Sequence, residues 1–135
     1  LLAAQVDMED GRMTMSERRR LPDTRRSVTH RAVIESGQGP VTLFMTCGFY
    51  EDGAVGEVFV QAGKLGSTVR GLLDDWARAV SYLLQYGVPV EEIAERFQGA
   101  SYPPAGPTSN AEVTPASSLV DYVVRWLASA AEVPG

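Results

Sequence analysis

The residues that carry most side-chain chemistry are scarce in this chain. Its 135 residues hold one cysteine, Cys47, one histidine, His30, and one lysine, Lys64. A lone cysteine excludes an intrachain disulfide and a cysteine-rich zinc site. With one histidine, a metal would have to rest on carboxylates, so none is expected. No Gly-x-Ser-x-Gly stretch occurs, and the cysteine has no histidine near it in sequence, so no nucleophile signature is present. No apolar run approaches the roughly 18 residues of a membrane span. Leu1–Val6 is too short for a secretory signal and is followed by acid. A soluble, cytoplasmic protein is expected.

Charge is short in one sign and uneven. The net charge is −5. Residues 12–31 carry seven arginines against Glu17 and Asp23, whereas residues 32–135 carry twelve acids against five bases. A broad basic face, which duplex DNA requires, is therefore missing. The arginines of the arm Arg18-Arg19-Arg20 and Arg25-Arg26 can touch phosphate, or pack on the protein's own acidic body or a partner.

Residues 1–17 lack apolar periodicity and read as a disordered acidic head, followed by one domain over 18–131. From Ser27 the pattern alternates, with Val28, His30, Ala32 and Ile34 on one side. Ser36–Pro40 reads as a turn, Val41–Phe49 as a second strand, Glu51-Asp52-Gly53 as a hairpin and Val55–Ala62 as a third strand. Helix periodicity then places Val69, Leu72, Leu73, Trp76, Val80, Leu83 and Leu84 on one stripe, and Gly87 caps it. A short helix follows from Pro89 to about Phe97. Gly99–Thr114 reads as a long loop that is functional or mobile. Thr114-Pro115 reads as the start of a last helix, with Leu119, Val120, Val123, Leu127 and Ala130 on its buried stripe. Strands first and helices after make an α+β fold: a three-stranded antiparallel meander with about three helices on one face. Cys47 and His30 fall on apolar sides of their strands and read as core residues before anything else; Trp76 and Trp126 do the same on their helices.

One motif carries chemistry. Gly63-Lys64-Leu65-Gly66-Ser67-Thr68 lies between a strand and a helix, where unpaired backbone N–H groups and the helix dipole favour an anion. A nucleotide is the obvious one. The spacing lacks the four-residue loop of the Walker motif. The plainer alternative is a tight turn with Ser67 or Thr68 as N-cap and Lys64 in solvent.

Taken together, several blocks resemble the TSCPD domain found at the C-terminal end of adenosylcobalamin-dependent ribonucleotide reductases. They include Arg19-Arg20-Leu21-Pro22, Arg26-Ser27-Val28-Thr29-His30 and Tyr50-Glu51-Asp52-Gly53. The Gly63–Thr68 stretch, Leu84-Gln85-Tyr86-Gly87-Val88-Pro89 and Ser118-Leu119-Val120-Asp121-Tyr122 belong to the same set, which covers residues 18 to 128. The resemblance implies a place in deoxyribonucleotide synthesis, as an accessory domain partnered with a reductase catalytic domain or subunit. It does not imply catalysis here. Ribonucleotide reduction needs a thiyl-radical cysteine and a cysteine pair, and the adenosylcobalamin would belong to the parent enzyme. The expected ligand site is Lys64, Gly66, Ser67 and Thr68, with His30, Thr108 and Asn110 as further members because they are polar positions inside matching blocks. A stand-alone module that sequesters or senses a nucleotide, and a structural or oligomerisation domain, are the alternatives.

Overall fold

A computed structural model gives the fold and describes residues 4–6, 13–15 and 17–131. Two short strands, β1 (Ala4–Val6) and β2 (Met13–Met15), pair antiparallel. They lie in the head that the sequence led us to expect as unstructured; the remainder of that expectation, at 1–3, 7–12 and 16, falls outside the described residues.

The domain is α+β. Strands β3 (Ser27–Ser36), β4 (Gly39–Phe49) and β5 (Val55–Ala62) form an antiparallel sheet in the order β3-β4-β5. Alternation sends Ala32, Ile34, Val41, Leu43, Met45, Cys47, Val58 and Val60 to one face, where all are buried. Helices α1 (Ser67–Gln85), α2 (Val90–Phe97) and α3 (Leu119–Ala131) supply the rest of the core through Leu73, Ala77, Val80, Leu84, Ile93, Tyr122, Val123 and Leu127. The opposite sheet face leaves Phe44 and Phe59 exposed.

Both sheet edges are closed by polar contacts rather than by further full strands. Along β5, the Ser81 hydroxyl of α1 accepts from Val58 N at 2.9 Å, and Gln85 Nε2 donates to Gly56 O at 3.0 Å. Along β3, Glu35 N donates to Pro107 O and Ser109 N donates to Val33 O. The long loop expected to be functional or mobile is thus held against a strand edge. Gly106, midway along it, approaches Glu35 so closely that a Cβ would lie 2.1 Å from the Glu35 carbonyl oxygen, so no side chain fits there.

Three local expectations are corrected. Helix α1 is capped by Gly66 with no side-chain hydrogen bond, not by Ser67 or Thr68. Its apolar stripe is only half used: Leu73, Val80 and Leu84 are buried, but Val69, Leu72 and Leu83 face outward, because the inward face runs through Leu73, Ala77, Val80 and Leu84. The last helix begins at Leu119, four residues beyond Pro115. Thr114–Pro115 is a cis peptide, and Ser118 caps the helix by accepting from Asp121 N at 3.0 Å. The C-terminal end of α1 follows expectation: Gly87 (φ 95°) and Val88 donate to Leu84 O and Leu83 O, the double return that ends many helices in glycine.

The basic arm packs on its own domain. Arg25 donates to both carboxylate oxygens of Glu57, at 2.5 and 3.0 Å, and Arg19 pairs with Asp52 at 3.0 Å while lying over the Tyr50 ring. Arg18 reaches Gln85 and covers Tyr82; Arg26 lies over Phe49. Arg19 N also donates to Gln85 O and Tyr50 donates its hydroxyl to Arg19 O.

Candidate functional site

The seven residues expected to form one site fall into two places. His30 is half-buried near the start of β3, its ring near-parallel to those of Tyr122 (6.2 Å between centroids) and Trp126 (5.4 Å). His30 Nε2 lies 2.8 Å from the Tyr122 hydroxyl, to which Asn110 Nδ2 donates at 3.2 Å. The phenol oxygen can accept from Asn110 while its own O–H donates to Nε2, an arrangement that suits a neutral imidazole. Burial pushes the His30 pKa down from its ordinary value, in the same sense. Thr108 shapes this loop. Its hydroxyl donates to Val113 O at 2.6 Å and accepts from Asn110 N at 3.2 Å. His30 and Asn110 therefore meet, through a tyrosine, and Thr108 positions the loop that delivers Asn110.

A buried carboxylate anchors the same region. Asp121, 2 % exposed, accepts from Gly99 N (2.7 Å) and Ser117 N (3.1 Å) and pairs with Arg125 at 3.0 Å. Burial would raise its pKa, but these donors outweigh it and hold the carboxyl below the usual range. Cys47 is fully buried, and burial pushes its thiol up to about 11; at neutral pH it is neither nucleophile nor ligand.

Lys64, Gly66, Ser67 and Thr68 sit elsewhere, all exposed. Lys64 belongs with Ser36–Pro40, the turn at the far end of β3. His30 and Ser36 are six residues apart, about 20 Å along a strand, so the two groups do not share a ligand of modest size. Lys64 has φ 64°, the only non-glycine residue with positive φ among the described residues. It borders a cleft of about 780 Å³ formed by the Ser36–Pro40 turn, Leu65 and the Ser101–Ala105 loop. Tyr102 lies in that wall with 47 % of its surface exposed. Gly66, Ser67 and Thr68 do not line the cleft.

Tyr102 and Tyr122 were missed from sequence. The signal for Tyr102 was present, an aromatic residue inside a loop rich in glycine and proline. For Tyr122 it was the four-residue spacing to Trp126 beside the apolar stripe of α3.

The comparisons with known proteins agree with this architecture. The model of the TSCPD domain family matches residues 14–131. The chain belongs to the TSCPD domain family. The chain is 41 % identical over 125 residues, 93 % of its length, to the vitamin B12-dependent ribonucleotide reductase of Rhodopirellula baltica. It is 38 % identical over 117 residues to that of Bradyrhizobium diazoefficiens and 40 % identical over 111 residues to that of Streptantibioticus cattleyicolor, covering 86 and 82 % of the chain. It spans only 12, 9 and 18 % of the length of those relatives. No solved structure matches it. Among the described residues, no helix of the TSCPD domain is long and apolar enough to cross a membrane, and no cluster of His, Cys, Asp and Glu is built to hold a metal.

Proposed function

We propose that this TSCPD domain is a non-catalytic accessory part of a vitamin B12-dependent ribonucleotide reductase, acting in deoxyribonucleotide synthesis by docking on the catalytic domain or subunit and binding a nucleotide phosphate near Lys64. The observation that carries the reading is the match of nearly the whole domain to a small share of reductases far longer than itself. Chemistry within the domain supports an accessory role. Its one thiol is sealed in the core and held protonated, and the reaction needs several reactive cysteines. The residues do not fit a corrinoid either. The sole imidazole already spends Nε2 on Tyr122 and packs against the Tyr122 and Trp126 rings, so among the described residues no imidazole nitrogen is presented to cobalt.

Docking has a surface of suitable character in the outward stripe of α1. Leu72 is 65 % exposed, with Val69 and Tyr102 beside it around an apolar groove of about 350 Å³. Apolar side chains grouped in this way favour a protein contact. The phosphate reading draws on Lys64, which makes no ion pair with any described residue.

Mixing the isolated chain with the catalytic segment of a B12-dependent reductase tests the docking. A complex in sedimentation, weakened by Leu72→Asp, is the expected result; no complex and no change in reductase turnover would remove the accessory reading.

A further inference from the structure

We infer that the cleft beside Lys64 takes a nucleoside phosphate with its base stacked on Tyr102 and its phosphate on Lys64 Nζ, rather than with its phosphate on the N-terminus of α1. This deepens the nucleotide reading above and rests on it.

Charge makes the first case. The chain holds 17 acids and 12 lysines and arginines, so a cleft whose only charge is positive runs against its overall balance. This one has Lys64 as its one charged lining residue among the described residues, amid Ser36, Gln38, Ser101 and Ser117. A lone cation facing neutral polar groups attracts an anion without a competing internal partner. The volume, about 780 Å³, lies in the range of small-molecule sites.

The second case is the platform. Tyr102 offers its ring to solvent, yet its backbone is fixed: Tyr102 N donates to Ser117 O at 3.0 Å, and Ser117 Oγ donates to Ala100 O at 2.8 Å. Ser117 N is in turn held by the buried Asp121. An exposed aromatic ring on a loop this well tied is a stacking surface for a base, whose π-face any aromatic residue can accept. Lys64 follows a residue tied to the sheet, Gly63, whose N–H donates to Thr42 O at 3.0 Å, and itself holds left-handed backbone geometry that lysine disfavours.

Ser67 and Thr68 lie outside the cleft, so a phosphate held on Lys64 within it does not rest on the N-terminus of α1.

Calorimetry on the full chain separates these arrangements, with ADP, GDP, CDP, UDP, adenosine and inorganic pyrophosphate as probes. At least one diphosphate should bind ten-fold or more tightly than pyrophosphate. Tyr102→Ala should bring that diphosphate down to the pyrophosphate level and leave pyrophosphate unchanged, and Tyr102→Phe should restore it. Lys64→Ala should weaken both by ten-fold or more, and the double variant Ser67→Ala, Thr68→Ala should change neither. Nucleotide and pyrophosphate binding alike, with Tyr102→Ala silent, would overturn the cleft. Loss on the Ser67, Thr68 double variant with Tyr102→Ala silent would return the phosphate to the helix, overturning the cleft while sparing the broader nucleotide reading. No binding of any probe to folded protein would overturn both, and leave docking on the reductase standing.

Discussion

The two ends of strand β3 are built on opposite terms. Around His30, polar groups answer one another: Asn110 to Tyr122, Tyr122 to His30, and Asp121 to two backbone N–H groups and Arg125. Around Ser36, Lys64 and Tyr102 face an open cleft and meet no charged partner. The polar residues that match a family pattern therefore divide by what they spend their hydrogen bonds on. Those already bonded hold the fold, and only the unspent ones are available to a ligand.

Substitutions should break or sharpen that division. The largest effect is expected from Asp121→Ala, which leaves the Gly99 and Ser117 N–H groups without their acceptor and Arg125 with Pro115 O alone. A loss of about 3 kcal/mol or more in urea unfolding is expected; a loss under about 1 kcal/mol would show that water replaces the carboxylate. Tyr122→Phe removes one oxygen and orphans both His30 Nε2 and Asn110 Nδ2, for about 1–2 kcal/mol, with cleft binding unaffected.

Acid should act at the closed end rather than at the cleft, with Asp52, held low by the Ala54 N–H and Arg19, adding to the lower step. Both His30 and Asp121 have pKa values lowered by folding, so for each the unfolded chain binds the proton more tightly and acidification favours unfolding. Their stability is present above the unfolded values, 6.5 for His30 and 3.8 for Asp121. The urea midpoint should first decline as pH falls below about 6.5, and decline again below about 4. His30→Gln should flatten the first step and keep the second; an unchanged first step would assign it to another group.

At the open end, stability should scarcely move. Leu72→Ala should cost less than about 0.5 kcal/mol, where Leu73→Ala, one residue along and buried, should cost about 2–4 kcal/mol. Lys64→Gly should act in the opposite direction. Glycine tolerates the positive φ at 64, so a gain of about 0.5–1 kcal/mol accompanied by lost anion binding is expected in thermal melts. A loss of stability would mean that the Lys64 side chain has a packing role.

Much of this was legible because side chains advertise it. Strand alternation gave β5 its bounds at Val55 and Ala62, and Gly87 announced the end of α1. What the sequence concealed rests on backbone or on neighbours. The Pro107–Ser109 segment joins β3 through N–H and C=O groups, which leave no side-chain pattern. The stripe on α1 was real, but periodicity says which residues are apolar, not how far a sheet edge reaches to cover them; Leu72 lies beyond it. Ser118, three residues before Asp121, was the true start signal of α3, outweighed on reading by the more conspicuous Pro115. The separation of Lys64 from His30 follows from the length of β3, which no motif spacing expresses.

The arginine arm has a mechanical consequence. Tension applied to the backbone at Glu17 would not reach Ser27 and peel β3 from β4 one rung at a time. It would first load Arg18 against Gln85, Arg19 against Asp52 and Arg25 against Glu57, three anchors on three different parts of the domain. The arm is a strain relief, and it lets whatever pulls on that end of the chain do so without transmitting the pull to the sheet.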